Sequence, residues 1–327
     1  MLVLTLLVRD EADIVASTID FHLGKGADFV IATDHRSVDG SREILERYER
    51  DGALRLVRED GDTFDSQALR TRMARMAAAE YGADWVIGAD ADEFFWPRAG
   101  SLPDALAAVP DSFGVVRAPW RFFVPRPGGD AFFAERMTAR LSPSAWLAHP
   151  RSPYKPDAKI AHRGRADVVV QGGNHRLLSS GLTVAPWHPI EVLHFPIRSV
   201  EQLARKMAHW TRAGRAWASG RSGVSHAQGW FDSVAVTDEV LVSGLADGSL
   251  AVDARLRDAL RLLGAAGSGH QAGSVASLGP DATDEGAFRA AIAALGDRGV
   301  HQLVRRLDDA EERVARLESE STTDGVG

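Results

Sequence analysis

The first hundred residues alternate between two hydrophobic periods. Val3 to Val8 is a short continuous apolar run, as expected for a strand covered on both faces. Residues 11–25 then carry Ile14, Ile19, Phe21 and Leu23 in a helical stretch that closes near Gly24 and Gly26. Phe29 to Thr33 predicts a second strand, followed by a polar loop from Asp34 to Gly40. Ser41 is placed to cap a helix through Tyr48, with Ile44, Leu45 and Tyr48 at helical spacing. A third strand is expected at Leu54 to Val57 and an Ala- and Met-rich helix over 66–80. The fourth strand, Trp85 to Ala89, runs straight into Asp90-Ala91-Asp92-Glu93.

This order predicts an α/β fold, a mostly parallel sheet with helices on both faces. Ligands of such sheets gather at the carboxyl ends of the strands. Three polar clusters fall there: Arg9-Asp10-Glu11, Asp34 to Asp39, and Asp90 to Glu93. Beyond residue 100 the chain is rich in Pro, Trp, Phe and Gly, with strands expected at Val115 to Phe123, Met137 to Leu141 and Val168 to Val170. Residues 199–218 read as an amphipathic helix with Val200, Leu203, Met207, Trp210 and Trp217 on one stripe, and Arg205, Lys206, Arg212 and Arg215 among its other positions. A Gly/Ser-rich linker near 264–279 precedes helices expected at Phe288 to Leu295 and His301 to Leu317. The expected organisation is a nucleotide-binding half over 1–98, an acceptor-side half of the same domain over 99–220, and a mainly helical extension over 221–327.

Composition narrows the function. The 327 residues are 45% apolar and 25% charged, as in an ordinary globular protein. A net charge of −7 argues against a nucleic-acid partner, because no dominant basic field is present. The absence of cysteine excludes disulfides, thiolate metal sites and a cysteine nucleophile. No apolar stretch is long enough for a transmembrane segment, and the N-terminal run lacks a basic n-region and cleavage site. The expectation is a cytoplasmic protein, with any membrane contact peripheral and at the inner face. Ala-, Arg- and Gly-rich usage fits a bacterium of high genomic GC content.

Asp90 and Asp92 follow a buried strand, and alternate residues of an extended chain point the same way, so both carboxylates can address one cation. Mg²⁺ and Mn²⁺ take oxygen ligands and bridge carboxylates to substrate phosphates. Asp34, at a strand tip, is placed to accept hydrogen bonds from a base or ribose. Asp39 and Ser41 suit either ligand contact or an Asx-type helix entry.

Val8-Arg9-Asp10-Glu11 with Ile14, then Thr33-Asp34 with Ser37, Asp39, Gly40 and Ser41, then Trp85 through Phe94 around Asp90-Ala91-Asp92-Glu93, together resemble glycosyltransferase family 2. The likeness is to the branch with an Arg-Asn/Asp-Glu-Ala-Asp opening and an Asp-Ala-Asp-Glu-Phe metal motif. It covers residues 2–98 well and extends more loosely to about 215. The resemblance implies a GT-A fold, a nucleoside diphosphate sugar donor, and transfer to a glycan, lipid-linked or small-molecule acceptor with inversion, in hexosyltransferase fashion. It implies that Val8, Arg9 and Glu11 lie beside the nucleotide and that Asp34 faces its base or ribose. Asp90 and Asp92 would flank a Mn²⁺ or Mg²⁺ ion and the diphosphate, with Gln67 and Arg70 near the donor.

The second half echoes the same branch. Lys155-Pro156-Asp157 with Lys159, then Asn174-His175, then His194-Phe195 before Arg198-Ser199 follow its order of a Lys segment, a His, and a His-containing element before a helix. His194 is the candidate third metal or diphosphate ligand, and His175 a second candidate for that role. Lys155, Lys159 and Arg198 are candidates to neutralise the leaving diphosphate.

Inverting transfer also needs a carboxylate base. The family's acidic pair is missing at its usual place, which leaves Asp157, Glu191 and Asp130 as candidates. Trp120, Phe122, Phe123, Trp146 and Trp187 could form an acceptor platform or simply core. The competing readings are a non-catalytic nucleotide- or sugar-binding relative, a scaffolding protein and a nucleotidyltransferase. The last usually has a glycine-rich loop after the first strand, where this chain has Arg9-Asp10-Glu11-Ala12-Asp13.

Overall fold

The computed structural model describes residues 1–61, 64–127, 131–142, 157–179, 181–212 and 224–267. Asp130, Trp146, Lys155, Arg215, Trp217, the side chains of Trp210 and Arg212, the linker beyond 267 and the two helices expected after it lie outside the described residues. The strands are β1 (Leu2–Val8), β2 (Phe29–Asp34), β3 (Leu54–Arg58), β4 (Trp85–Asp90), β5 (Glu93–Pro97), β6 (Val115–Phe122), β7 (Ala139–Leu141), β8 (Ala158–Arg163), β9 (Val169–Val170), β10 (Leu177–Ser179), β11 (Ile190–His194) and β12 (Leu250–Val252). The helices are α1 (Val15–Gly24), α2 (Ser41–Arg50), α3 (Ser66–Ala79), α4 (Leu102–Ala107), α5 (Phe133–Arg136), α6 (Val200–Arg212), α7 (Val224–Val234), α8 (Asp238–Ala246) and α9 (Arg255–Gly267).

Eight strands form one mixed sheet in the order β3-β2-β1-β4-β8-β6-β11-β5. The β1, β2, β3 and β4 pairings are parallel, as is β6 with β11. Strands β8 and β5 run against their neighbours. This is the helix-flanked α/β sheet that the alternating pattern predicts. Its two faces are read directly from β1: Leu4, Leu6 and Val8 pack with Ile14, Val15, Ile19 and Phe21 of the α1 segment. Val3 packs on the other face with Ile31, Val86 and Met73, Ala74 and Ala77 of α3. A strand buried on both sides has no polar face to show, which is why its sequence is a continuous apolar run.

Two local expectations change, at the α2 cap and at the start of the linker. The α2 cap is Gly40, at φ +98°, and Ser41 is the first helical residue rather than the cap. The Ser41 hydroxyl donates to Asp39 Oδ1 (2.6 Å) and accepts from Glu11 N (2.8 Å). Phe94, Phe95 and Trp96 belong to a strand, β5, which crosses to the far edge and pairs with β11. Gly264 to Gly267, expected to begin a linker, lie in α9, whose Leu256, Leu260 and Leu263 join the main core against α1. No helix among the described residues is long and apolar enough to cross a membrane.

Candidate active site

Strand direction assembles the site. The ends of β1, β2, β4, β6 and β11 share one edge of the sheet. Because β5 and β8 are antiparallel, their first residues reach that same edge. The register is explicit: Leu7 pairs with Asp90, His194 with both Glu93 and Phe122, and Ala118 with Lys159. A cavity of about 440 Å³ opens there. Among the described residues its charged lining is Asp10, Glu11, Asp90, Asp92 and Glu93 against Arg9, Arg70, Lys159, Arg205 and Lys206, whose formal charges cancel.

The loops above β1 and β2 brace each other. Ala12 N donates to Asp39 Oδ2 (3.0 Å), Asp10 N to Ser37 Oγ (3.1 Å) and Val38 N to Asp10 Oδ1 (2.8 Å). Arg9 Nη1 lies 3.0 Å from His35 Nδ1. Arginine only donates, so Nδ1 accepts and the His35 ring is neutral. Burial and the Arg9 charge both depress its pKa. Asp34 is buried, with Oδ2 on Arg42 Nε (2.7 Å) and Oδ1 unpartnered among the described residues.

The two aspartates of the metal motif part company. Ala91 and Asp92 form a turn, not extended chain, so alternation does not aim both carboxylates at one point. Asp90 accepts from Arg70 Nη2 (2.5 Å) and Lys159 Nζ (2.8 Å). Burial opposes its charge, but these two cations hold it well below the usual carboxylate range. Asp92 Oδ2 accepts from Lys206 Nζ (2.7 Å) on α6, while Oδ1 faces His194 Nε2 at 3.6 Å. Burial again opposes ionisation, and Lys206 with His194 and Arg198 keeps Asp92 ionised. Glu93, buried at the start of β5, accepts from Trp120 Nε1 (2.9 Å) and Asp90 N (3.0 Å) and pairs with Lys159 (3.1 Å). Burial pushes its carboxyl up, against the pull of Lys159.

The metal-competent cluster among the described residues is therefore Asp92, Glu93 and His194, with one donor atom from each within 4.8 Å of the others. Asp90 stands outside it. The donor set of carboxylate and imidazole suits Mn²⁺ or Mg²⁺. His194 Nδ1 is buried without a partner, and 3.6 Å is too long for a hydrogen bond from Nε2 to Asp92. A cation would give that imidazole a partner it lacks, so the residues fit an ion.

Of the sequence candidates, Val8, Arg9, Glu11, Arg70, Asp90, Asp92, Lys159 and His194 line the cavity. Asp34, Asp39, Gln67, Asp157, Glu191 and Arg198 are not among its lining residues. Gln67 is exposed at the start of α3. Glu191 sits in a buried ion-pair group with Arg121 (2.7 Å), Arg255 (2.7 Å) and Arg98 (3.5 Å), which hold it ionised against the opposing effect of burial. Arg198 lies beneath the floor, donating to Glu11, Asp13 Oδ2 (2.7 Å) and Phe195 O (3.0 Å). Asp157 stands behind His175, which does line the cavity. Trp120 and Phe122 face the cavity, Phe123 is core, and Trp187 is an exposed partner of Phe113.

Sequence reasoning gave no role to Glu93, His35 or Phe64, and saw Lys206 only as one charge on a helix. Glu93 stood inside the quoted motif. Nothing local signals that α6 returns Lys206 to Asp92.

No family model matches this chain, and no curated protein matches it. Solved structures similar in part include S. aureus TarS, at 14% identity and TM-score 0.34, covering 69% of this chain but only 41% of that one. S. aureus TarS 1-349 in complex with UDP-GlcNAc gives 13% identity and TM-score 0.37 over 75% of this chain and 72% of that one. Glucosyl-3-phosphoglycerate synthase from Mycobacterium tuberculosis, with Mn²⁺, UDP and glucosyl-3-phosphoglycerate, gives 20% identity and TM-score 0.27 over 37% of this chain and 44% of that one. Likeness at this level assigns neither a donor nor an acceptor to this chain.

Proposed function

We propose that this chain is a metal-dependent glycosyltransferase of GT-A type, transferring a sugar from a nucleoside diphosphate sugar to an acceptor hydroxyl with inversion. The observation that carries the reading is the charge pattern of the cavity at the strand ends. Among the described residues, five carboxylates and five cations cancel around a wall that includes Asp92, Glu93 and His194. Such a site offers carboxylates to a divalent ion and cations to a diphosphate, whose own charges largely offset each other.

Asp92, Glu93 and His194 would hold the ion, which when bound neutralises charge on the departing diphosphate. Arg9, Arg205 and Lys206 supply further donors in the same wall. Arg70 and Lys159 hold Asp90 ionised and fixed, so the floor is set before the donor arrives. His35 and Phe64, whose ring centroids are 4.9 Å apart, line the cavity beside Arg9, and the neighbouring Asp34 keeps Oδ1 buried and unpartnered among the described residues. That corner suits the nucleoside. Trp120, which also lines the cavity, would supply an aromatic surface for a sugar ring.

The test is thermal stability against UDP, GDP, CDP, dTDP and ADP, each with and without Mn²⁺. A ligand of the native state raises the midpoint by mass action. The expected outcome is a Mn²⁺-dependent rise with one nucleotide that disappears in Asp92→Ala. No rise with any nucleotide at millimolar concentration, in a folded protein, would refute the donor site.

A further inference from the structure

We propose that His175 is the general base that activates the acceptor hydroxyl, with Asp157 as its positioning residue; the assignment rests on the glycosyltransferase reading above. His175 Nδ1 lies 3.1 Å from Asp157 Oδ2 and 3.1 Å from the carbonyl oxygen of Ala158. Both neighbours are acceptors, so Nδ1 carries the proton and Nε2 carries the lone pair. The ring lines the cavity, its side chain is 26% exposed, and no described residue hydrogen-bonds Nε2. An imidazole turned this way is oriented by a carboxylate at its back and presents a basic nitrogen in front. That is the arrangement a carboxylate–histidine pair needs for proton abstraction.

The backbone is shaped for this ring. Gly173 has φ +100°, and a Cβ there would lie 2.9 Å from Nε2 and 2.8 Å from Cδ2 of His175. Asn174, buried and at φ +59°, wedges its amide over Gly88 of β4, where a Cβ would meet it at 2.6 Å. The His175 loop is thereby pinned to the strand that ends in Asp90. Trp120 bridges the two functional histidines, edge-on to His175 at 5.2 Å and tilted against His194 at 4.6 Å. A sugar lying on that indole has the diphosphate side at one end and His175 at the other.

The carboxylates of the cavity are poor competitors for the role. Asp90 and Asp92 are each clamped by lysine or arginine and are weak bases for that reason. Glu93 spends both oxygens on Trp120, Lys159 and the Asp90 amide, and Glu11 is paired with Arg198. In the step itself, the acceptor O–H proton passes to His175 Nε2 as the acceptor oxygen bonds the anomeric carbon. The bond from that carbon to the diphosphate oxygen breaks, and its electron pair leaves with the nucleoside diphosphate. The imidazolium then returns its proton to water.

Three variants of the full chain, His175→Gln, His175→Ala and Asp157→Asn, separate this idea from the donor site beneath it. Each is followed by nucleotide-dependent thermal shift with Mn²⁺ and by hydrolysis of UDP-glucose, GDP-mannose and dTDP-glucose, with water as acceptor. Both His175 variants are expected to keep the thermal shift and lose about 10²–10⁴-fold in kcat, with partial rescue of His175→Ala by added imidazole. Asp157→Asn is expected to lower kcat by about 10–100-fold with KM unchanged. Nitrogen-15 NMR of the labelled histidines gives a readout independent of turnover: a neutral Nδ1–H tautomer at His175, scrambled in Asp157→Asn. Turnover within about threefold of wild type in His175→Gln, or an Nε2–H tautomer in the wild type, overturns the assignment. Loss of the thermal shift in the wild type itself refutes the donor site and takes the base with it. A wild type that binds nucleotide without hydrolysing the sugars is decided by the tautomer alone.

Discussion

Arg198 offers the sharpest test of how the two halves of the chain depend on each other. It is 1% exposed and gives Nε to Asp13 Oδ2, Nη2 to Glu11 and Asp13, and Nη1 to the Phe195 carbonyl. Arg198→Met keeps the apolar stem and removes every one of these donors. Asp13, with a side chain 37% exposed, can be rehydrated, so the cost falls mainly on Glu11, the Phe195 carbonyl and Asp92, whose Oδ2 lies 3.8 Å from Arg198 Nη1. Removing one partner of a buried ion pair costs about 3–5 kcal/mol, which for a domain of this size is a fall of roughly 6–20 °C in Tm. Arg198→Lys, which can reach only part of the network, should lose less than half of that. The pH dependence has a definite sign. Burial already raises Glu11 above its ordinary 4.5 despite Arg198, and without the arginine it rises further. Wild-type Glu11 then ionises at a pH where that of the variant still holds its proton, so the penalty grows as pH rises through the wild-type pKa, which itself lies above 4.5. Asp13 acts in the same direction, since the arginine depresses it against burial in the wild type and that benefit is already absent at low pH. Urea unfolding of both proteins at pH 5 and pH 8 measures the difference. A loss below about 1 kcal/mol, or a gap that widens toward pH 5, would show that the Glu11–Arg198 contact does not hold the β1 loop.

Acid should expose a second buried group. Burial lowers His22 from 6.5 to about 4 against the opposing effect of the Nδ1 bond to Thr18 O, and Nε2 accepts from Phe95 N. The stability this neutral ring contributes is complete above pH 6.5 and is lost as pH falls toward 4, by about 3 kcal/mol in all; urea midpoints should fall over that window, and less steeply in His22→Gln. Gly88→Ala should cost about 1–3 kcal/mol by overpacking against the buried Asn174 amide, and should lower kcat more than nucleotide affinity because it displaces the His175 loop. A Gly88→Ala protein with wild-type Tm and turnover would mean that loop is not pinned to β4.

The first four strands of the sheet were legible in the chain because their signals are local. A strand buried on both faces has to be continuously apolar, and a helix against it has to repeat near 3.6 residues, so β1 to β4 and α1 to α3 could be placed within a few residues. The placing of Arg9, Glu11, Asp90 and Asp92 at the cavity was legible for the same reason: they directly follow those runs. Elsewhere the signals were not local. Asp90 and Asp92 were expected to act as one pair, but a turn at Ala91–Asp92 separates them and hands the second to Lys206, 114 residues away. Glu93 meets His194 only because β5 crosses the sheet to pair antiparallel with β11. Arg198 looked like a diphosphate cation and is instead a buried strut to Glu11, 187 residues off. The Asp157–His175 pair forms only because the Gly172–Gly173 turn folds the chain back onto the start of β8. Periodicity records how much of a segment is buried and on which side. Which charge finds which partner is set by register and crossing between distant segments, and that is decided only when the sheet closes.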